Sequence, residues 1–343
     1  MSKRKILFLV GSLNQATQMH QIASELPEYD CYFSQVYSDD VLIKWAVKKG
    51  WLDHTILGGG NFKQRSDQYL SDNGLRNDYA TAVYNNNYDL VVCCTDLQVA
   101  KSLRKIKTVF VQEGMTDPVT PWARIVHRLR LPHVLAMNTA FNGSGNICDI
   151  YCAASEGYKQ QFAQYGTDAA RIFVTGIPNY DHVALHNNND FPYHGYVLVA
   201  TSDIRELHGR EDRDATIANC IKIAAGRPLF FKLHPNEDKE RAIAEIKRQA
   251  PDAMVFTEGN TGHMIANCEE LITQYSTVVY MGIALNKKVH SYFDVTQLKR
   301  LAPIQNGGAS AYNIAAICRS YIEYKGTRAD FLKTYKQPEL QYA

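Results

Sequence analysis

Side chains able to handle phosphate follow two of the short apolar runs in the second half of this sequence. Leu229-Phe-Phe-Lys-Leu233 leads into His234-Pro235-Asn236, and Glu270-Leu-Ile-Thr273 leads into Gln274-Tyr275-Ser276-Thr277. Proline cannot donate to a strand ladder and biases its predecessor towards extended geometry, so His234 is expected at a strand's carboxyl end. Val278 to Leu285 reads as a helix. Ser276 and Thr277 then stand beside its amino end, where free N–H groups and the helix dipole favour an anion. Ligands of open α/β sheets bind beyond the carboxyl ends of the strands. Either set alone is common in ordinary cores and caps. On successive strands they suggest one phosphate pocket, with Tyr275 beside it and Ser202 and Arg205 added from the turn after Ala200.

Groups that could move a proton cluster in the first half. Glu113 follows the apolar run Lys107–Gln112, and Gly114 beside it permits close approach. It is the first candidate for a general base. Asp117 precedes Pro118, a pairing that often only opens a turn. Asp96, after the run Tyr88–Cys94, and His20, within the first helix, are reserves. Ser12 and Asn14, in the turn Gly11–Gln15, would border an acceptor together with the loop Gly58-Gly59-Gly60. Cys148 and Cys152 have no second pair at zinc spacing, so no metal is expected.

These residues need strands to carry them. Lys5–Gly11, Tyr32–Val36, Tyr88–Cys94, Lys107–Gln112, Cys148–Ala154 and Ile172–Thr175 are strand-like runs, several of them unbroken in apolar character as in parallel strands buried on both faces. Helices are expected from Gly11 through Leu26, over Asp40–Lys49, Asp67–Asn86 and Ser155–Tyr165. The turn Gly176-Ile-Pro-Asn179 and the polar run His186–Asp190 read as a linker. A second series follows, with strands at Tyr196–Ala200, Leu229–Leu233, Ala253–Phe256, Leu271–Thr273 and Val289–Phe293. It closes on a helix over Ala309–Tyr324. Strands alternating with helices in two blocks predict two doubly wound α/β domains facing a central cleft. The division is an acceptor domain over 1–180, a donor domain over 181–325 and a tail over 326–343.

Composition narrows the function class. The 343 residues are 45% hydrophobic and 21% charged with a net charge of +2, which suits a globular protein and offers no field for nucleic acid. The eight cysteines are scattered and suit a reducing compartment. The amino-terminal apolar run is too short for a signal peptide, and none approaches a bilayer span. A cytoplasmic protein is expected, with room for peripheral contact at the inner face of a membrane and for a homodimer.

The order of motifs resembles the two-domain nucleotide-sugar enzymes of the GT-B type. Ile172-Phe-Val-Thr-Gly-Ile-Pro-Asn-Tyr-Asp181 is similar to their interdomain passage, and Lys232-Leu-His-Pro-Asn236 fits as well. One relevant group is the UDP-N-acetylglucosamine 2-epimerases. The other contains CDP-glycerol glycerophosphotransferases, polysialyltransferases and Kdo transferases. Departures favour the second. Leu13 and Gln18 stand where the epimerases carry Arg and Lys. Their Asp-Ser-Gly-Gly segment is replaced by Gln274-Tyr-Ser-Thr-Val-Val-Tyr-Met281. Their His-Val-Glu-Ala-Gly passage becomes Phe110-Val-Gln-Glu-Gly114, which shifts the carboxylate by one position.

The resemblance implies a GT-B-like pair of Rossmann-like domains and a metal-independent transferase. It would take a nucleotide-sugar or CDP-polyol donor and a carbohydrate, lipid or polyol acceptor, in surface polysaccharide or glycolipid synthesis. Glu113 would be the base, with Asp117 and Asp96 behind it. His234, Ser276, Thr277, Arg205, Ser202 and Tyr275 would hold the donor, and Ser12, Asn14 and His20 would lie on the acceptor side. An epimerase and a non-catalytic nucleotide-sugar binder remain the alternatives.

Overall fold

The computed structural model describes residues 3–53, 55–58, 60–78, 87–206 and 209–336. The chain divides into two compact units, Met1–Asp181 with Asn306–Ala343, and His182–Gln305. In the first unit six strands form one sheet: β1 (Lys5–Val10), β2 (Asp30–Gln35), β3 (Leu90–Cys93), β4 (Lys107–Val111), β5 (Ile150–Ala153) and β6 (Ile172–Val174). Their order is β2-β1-β3-β4-β5-β6, and every pair is parallel. In the second, β7 (Tyr196–Ala200), β8 (Leu229–Lys232), β9 (Met254–Phe256), β10 (Cys268–Thr273) and β11 (Lys288–His290) pair in parallel in the order β11-β10-β7-β8-β9. Both are Rossmann-like α/β units, as the strand–helix alternation predicts.

The helices of the first unit are α1 (Leu13–Ser24), α2 (Val41–Lys48), α3 (Gly60–Asp72), α4 (Pro121–Arg128) and α5 (Glu156–Gln164). The second holds α6 (Arg213–Ala224), α7 (Lys239–Gln249), α8 (Thr261–Asn267), α9 (Val279–Ala284) and α10 (Val295–Leu301). The chain then returns to the first unit as α11 (Ser310–Glu323) and α12 (Arg328–Thr334).

Burial explains why β1 is apolar without alternation. Ile6, Phe8 and Val10 pack against Met19 and Ile22 of α1 and Ile314 and Cys318 of α11. Leu7 and Leu9 point the opposite way and are buried too. In the second unit Val197, Val199 and Phe231 pack against Ile217 of α6 and Ile246 of α7. With both faces of each sheet covered, polar side chains are left to the strand ends.

Two expectations are corrected. The helix foreseen over Asp67–Asn86 is α3, which starts at Gly60 and stops at Asp72. Asn73 and Gly74 end it, with Gly74 at φ +64°, a left-handed conformation that suits glycine at a helix terminus. The Gly58-Gly59-Gly60 loop is shortened accordingly, since Gly60 opens α3; Gly59 and residues 79–86 lie outside the described residues.

The second correction concerns Ala309–Tyr324, which the linear division placed in the second domain. As α11 it covers the first sheet and is held at both ends by that unit. At its start the Ser310 N–H donates to the Asp181 carboxylate at 2.7 Å, and the Gly307 N–H donates to the Asp181 carbonyl at 2.9 Å. At its end the Lys107 ammonium donates to the carbonyls of Tyr321 at 2.7 Å and Tyr324 at 2.6 Å. Carboxylate at the amino end and cation at the carboxyl end match the helix dipole and satisfy groups the helix leaves unpaired. Among the described residues no helix is long and apolar enough to cross a membrane.

Ile314→Ala should therefore destabilise the first unit. The expected cost is roughly 2–5 kcal/mol, the usual range for deleting a buried isoleucine side chain. Hydrogen–deuterium exchange should quicken in β1, β3 and β4 and stay unchanged in β7, β8 and β10; the opposite pattern would place α11 with the second sheet.

Candidate functional site

The carboxyl edge of the first sheet gathers a polar network around Glu113. Gln112, buried beyond β4, aims the chain: its side-chain amide donates to the Gly114 carbonyl at 2.9 Å and accepts from the Ala154 N–H at 2.9 Å. Glu113 then meets the turn after β1. Its Oε1 accepts from Asn14 Nδ2 at 2.9 Å and Ser12 Oγ at 3.3 Å, and its Oε2 accepts from Gln15 Nε2 at 2.6 Å. All three donors are neutral, and the set uses three of about four lone-pair positions, leaving Oε2 one for a further proton or donor.

The turn itself is tightly built. Ser12 caps α1 by accepting the Gln15 N–H at 3.2 Å. The Gly11 N–H donates to Gln15 Oε1 at 2.7 Å. A Cβ on Gly11 would stand 2.5 Å from Ile56 Cβ, so only glycine lets the backbone pass there. Asn179 buttresses Asn14 from the end of the first unit's sheet segment, donating to its Oδ1 at 2.8 Å and its carbonyl at 3.0 Å, while accepting from Gln21 Nε2 at 2.8 Å. The Asn14 amide is thereby oriented with its nitrogen on Glu113.

The other first-unit candidates stand apart from this network. Asp96 is fully buried and anchors the loop before β5, accepting from the N–H groups of Gly143 at 2.8 Å and Gly145 at 2.6 Å and from the Tyr151 hydroxyl at 3.0 Å. Burial pushes its carboxyl up to about 6, against the lowering pull of those three donors. Asp117 is exposed and clips the turn expected of Asp-Pro, accepting from the N–H and the hydroxyl of Thr139, each at 2.8 Å. His20 faces α3, its Nδ1 bonded to the Tyr69 hydroxyl at 2.9 Å, and partial burial lowers its pKa. It is part of helix packing.

In the second unit, register brings Ala200, Lys232 and Thr273 level across β7, β8 and β10. The segments that follow them meet at one edge. The His234 N–H donates to Thr201 Oγ1 at 2.9 Å and to Glu237 Oε2 at 3.0 Å. Glu237 also accepts from the Thr201 hydroxyl and pairs with Arg213, all three buried. A charge pair sunk behind the turn fixes His234. Its Nδ1 takes the Asn236 N–H at 3.3 Å, and its Nε2 has no partner among the described residues.

Ser276 and Thr277 do precede α9, as predicted. Ser276 Oγ accepts the Val278 N–H at 3.4 Å, and no side chain caps α9 itself. Tyr275 is half exposed, with its ring edge-on to Tyr292 and Phe293. Arg205 is engaged away from any ligand: it forms a bidentate pair with Glu245 at 2.9 and 2.7 Å and lies 3.4 Å from Glu211. The wide hollow beside it sets Arg205, Arg210, Arg213 and Arg248 against Glu211, Asp212, Asp214 and Glu245, four charges of each sign, so its lining charges offer no net attraction for an anion. A phosphate clamp at Arg205 would first have to break the Glu245 pair.

A smaller cavity of about 250 Å³ opens beneath α6, between Thr201, Arg213, Thr216, Thr273, Gln274 and Tyr292. Gln274 Nε2 is held by Glu211 at 2.5 Å and by the Tyr292 hydroxyl at 3.3 Å. Among the described residues its Oε1 and the Thr273 hydroxyl are buried without hydrogen-bond partners, as is the hydroxyl of Ser202, next to Thr201 in the chain. Unsatisfied buried polar atoms are costly, and a ligand bearing N–H and carbonyl groups would satisfy them.

Sequence reading thus found Glu113, Ser12 and Asn14 together, but missed Gln15, Asn179, Glu237, Arg213 and the Thr273–Gln274 pair. Gln15 and Glu237 lie within the polar turns that follow the strands, where any side chain could have been considered. Asn179 lies in the Ile172–Asp181 passage, which the sequence marks only as a turn and by its resemblance, and Arg213 carries no local signal.

No family model and no curated protein matches the sequence. Solved structures do match in fold. A Listeria monocytogenes protein presented as a UDP-N-acetylglucosamine 2-epimerase superposes with a TM-score of 0.62 at 13% identity, covering 100% of both chains. The Methanocaldococcus jannaschii UDP-GlcNAc 2-epimerase, in complex with UDP-GlcNAc and UDP, reaches 0.56 at 14% identity over 92% of this chain and 99% of its own. The wall teichoic acid polymerase TagF, soaked with CDPG, reaches 0.51 at 11% identity over 94% of this chain and 89% of that one. The fold is therefore GT-B-like, as the sequence motifs implied.

The Asp96 carboxyl supplies a check on the first edge. Its folded-state pKa of about 6 lies above the ordinary 3.8, so the folded protein keeps a proton the unfolded chain releases, and stability falls as pH rises through that window. The loss from this group is expected to be roughly 3 kcal/mol between about pH 4 and 6. Urea denaturation across that range should show Asp96→Asn without this component; parallel profiles for the two proteins would contradict the buried-acid assignment.

Proposed function

We propose that the chain is a GT-B-type transferase acting on a nucleotide-activated sugar or polyol donor, with Glu113 as the general base. The observation that carries this is the Glu113 carboxylate, held at a sheet edge by Ser12, Asn14 and Gln15 with lone-pair capacity to spare. In the glycosyl case, Glu113 removes the proton from an acceptor hydroxyl. The acceptor oxygen forms a bond to the donor's anomeric carbon, and the bond from that carbon to the phosphate oxygen breaks, releasing a nucleotide. Three preset donors keep the carboxylate in place, so little reorganisation is needed at the moment of proton transfer.

The second unit supplies the donor side in this reading. Thr273 and Gln274 bind the edge of a planar base in the cavity under α6, where a carbonyl and a hydroxyl await donors and acceptors. His234, through Nε2, and Ser276 with Thr277 contact the phosphates and stabilise charge on the leaving group. Ser202 joins them through its unpaired hydroxyl. No metal is required in this scheme, because neutral donors and the imidazole take the leaving group's charge.

Epimerisation of a UDP-N-acetylhexosamine is the second reading. The fold likeness to proteins described as epimerases favours it. There Glu113 would move the proton at C2 of the sugar rather than that of an acceptor.

Thermal denaturation with UDP, CDP, CMP, GDP and their sugar or polyol conjugates tests the shared premise, since a ligand that binds only the folded state raises the melting temperature. The expected result is a shift by one nucleotide family that is lost in Gln274→Ala and His234→Ala. No shift with any of them would sink the nucleotide reading.

Glu113→Gln should leave that shift nearly unchanged and lower turnover about 10²- to 10⁴-fold, the usual loss on removing a general base. Chelator should not alter turnover. Exchange of the sugar C2 proton with solvent deuterium, without any acceptor, would decide for epimerisation. Tight binding with no turnover of any donor would make the chain a binding protein.

A further inference from the structure

All three tryptophans of the chain, Trp45, Trp51 and Trp122, are exposed, and all three lie on or beside two short helices of the first unit. Tryptophan is on average well buried in globular proteins, so three outward-facing ones ask for a cause.

Helix α4 is packed inside out. Its small residues Ala123 and Val126 are buried, while Trp122, Ile125 and Leu129 line the solvent side, Trp122 at 51% and Leu129 at 63% exposure. Their spacing of three and four is one continuous helical stripe. Leu135 and Met137, in the turn that packs on α4, extend the apolar surface. Helix α2 buries no side chain at all, and it shows Val41, Leu42 at 76% and Trp45 to solvent, with Trp51 at 67% just beyond it.

Charge along both helices, between their end residues, has one sign. Lys44, Lys48 and Lys49 flank the α2 residues, with no Asp or Glu between Asp40 and Asp53. Arg124, Arg128 and Arg130 flank those of α4, with no Asp or Glu between Asp117 and Asp149. All six cations are exposed, and none has an ion-pair partner among the described residues. In a chain of 37 basic and 35 acidic residues this segregation is local.

We propose that α2, α4 and their flanking turns form a docking surface for an anionic lipid bilayer. Apolar side chains with tryptophan on one stripe and Lys or Arg beside it are what an interfacial helix needs. The rings and leucines enter the headgroup boundary, and the cations meet lipid phosphates while their stems lie along the apolar layer. An apolar protein partner would not call for cations alone along the length of both helices, with the carboxylates of Asp40 and Asp53 left to the two ends of the α2 segment. Helix α2 follows β2 and α4 follows β4, so both arise from the carboxyl edge that carries Glu113. The proposal does not rest on the nucleotide reading, since docking requires no donor.

The test is co-sedimentation of the full chain with phosphatidylcholine vesicles, with and without phosphatidylglycerol, followed also by tryptophan emission. Binding is expected only when the anionic lipid is present, with a blue shift in emission and release at high salt. Arg124→Ser/Arg128→Ser/Arg130→Ser should weaken it roughly a hundredfold, and Leu42→Glu/Leu129→Glu should abolish it. All these side chains are exposed, so circular dichroism and melting should match the parent. The proposal is overturned by no sedimentation with anionic vesicles, by equal binding to neutral ones, or by binding that survives both variants. It is equally overturned if light scattering shows a dimer that Leu129→Glu splits while vesicles are not bound, because the face would then join two copies of this chain.

Discussion

A parallel strand buried on both faces has nowhere to put a polar side chain except beyond its last ladder residue. That constraint organises both units. In β1, β3 and β4 the buried side chains are apolar apart from Thr108, Lys107 at the start of β4 serves the end of α11, and the polar side chains of the carboxyl edge begin at Ser12, Thr95 and Gln112. In β7, β8 and β10 they begin at Thr201, His234 and Thr273, the last residue of β10. Because neighbouring strands run the same way and end level, their first polar residues are delivered to a common edge. A functional edge is a consequence of covering the sheet.

What the edge can do depends on how its side chains are held. In the first unit the holding is neutral: amides and a hydroxyl grip Glu113, and a second tier, Asn179 and Gln21, grips the amides. In the second unit it is ionic. The Arg213–Glu237 pair lies buried behind the His234 turn and is worth more as a fixture than as a source of stability, since desolvation offsets much of the attraction between such charges. Removing Arg213 would leave Glu237 without its ion-pair partner beneath the turn, whereas Arg213 would keep Glu211 at 3.2 Å if Glu237 were lost. Arg205 shows the reverse case, a cation so well paired with Glu245 that it has little left for a ligand.

The parts of the site legible in the sequence were those set by chain direction alone. Ser12 and Asn14 follow β1 and Glu113 follows β4, the two strands that flank β3, so topology brought them to one edge without further information. Asp96 follows β3 itself, yet it turned inward to hold Gly143 and Gly145, a choice made by a loop some way along the chain. Asn179 and Arg213 act through contacts to residues distant in sequence, and the Gly176–Asn179 turn marks a place in the chain without announcing the contact to Asn14. In α4 (Pro121–Arg128) a helical period alone does not say which stripe faces in. The structure chose the small residues.

The sequence by itself determined the strands of each block and the strand–helix alternation that makes them parallel, because apolar periodicity and turn chemistry act over a few residues. Tertiary structure decided where the last long helix went. The apolar stripe of α11 would cover the open face of either sheet equally well, since burial is not directional. Its ends are directional: Asp181 offers a carboxylate to the first turn and Lys107 an ammonium to the last, and both belong to the first unit. Two local charges, far apart in the sequence, settled what the hydrophobic pattern left open.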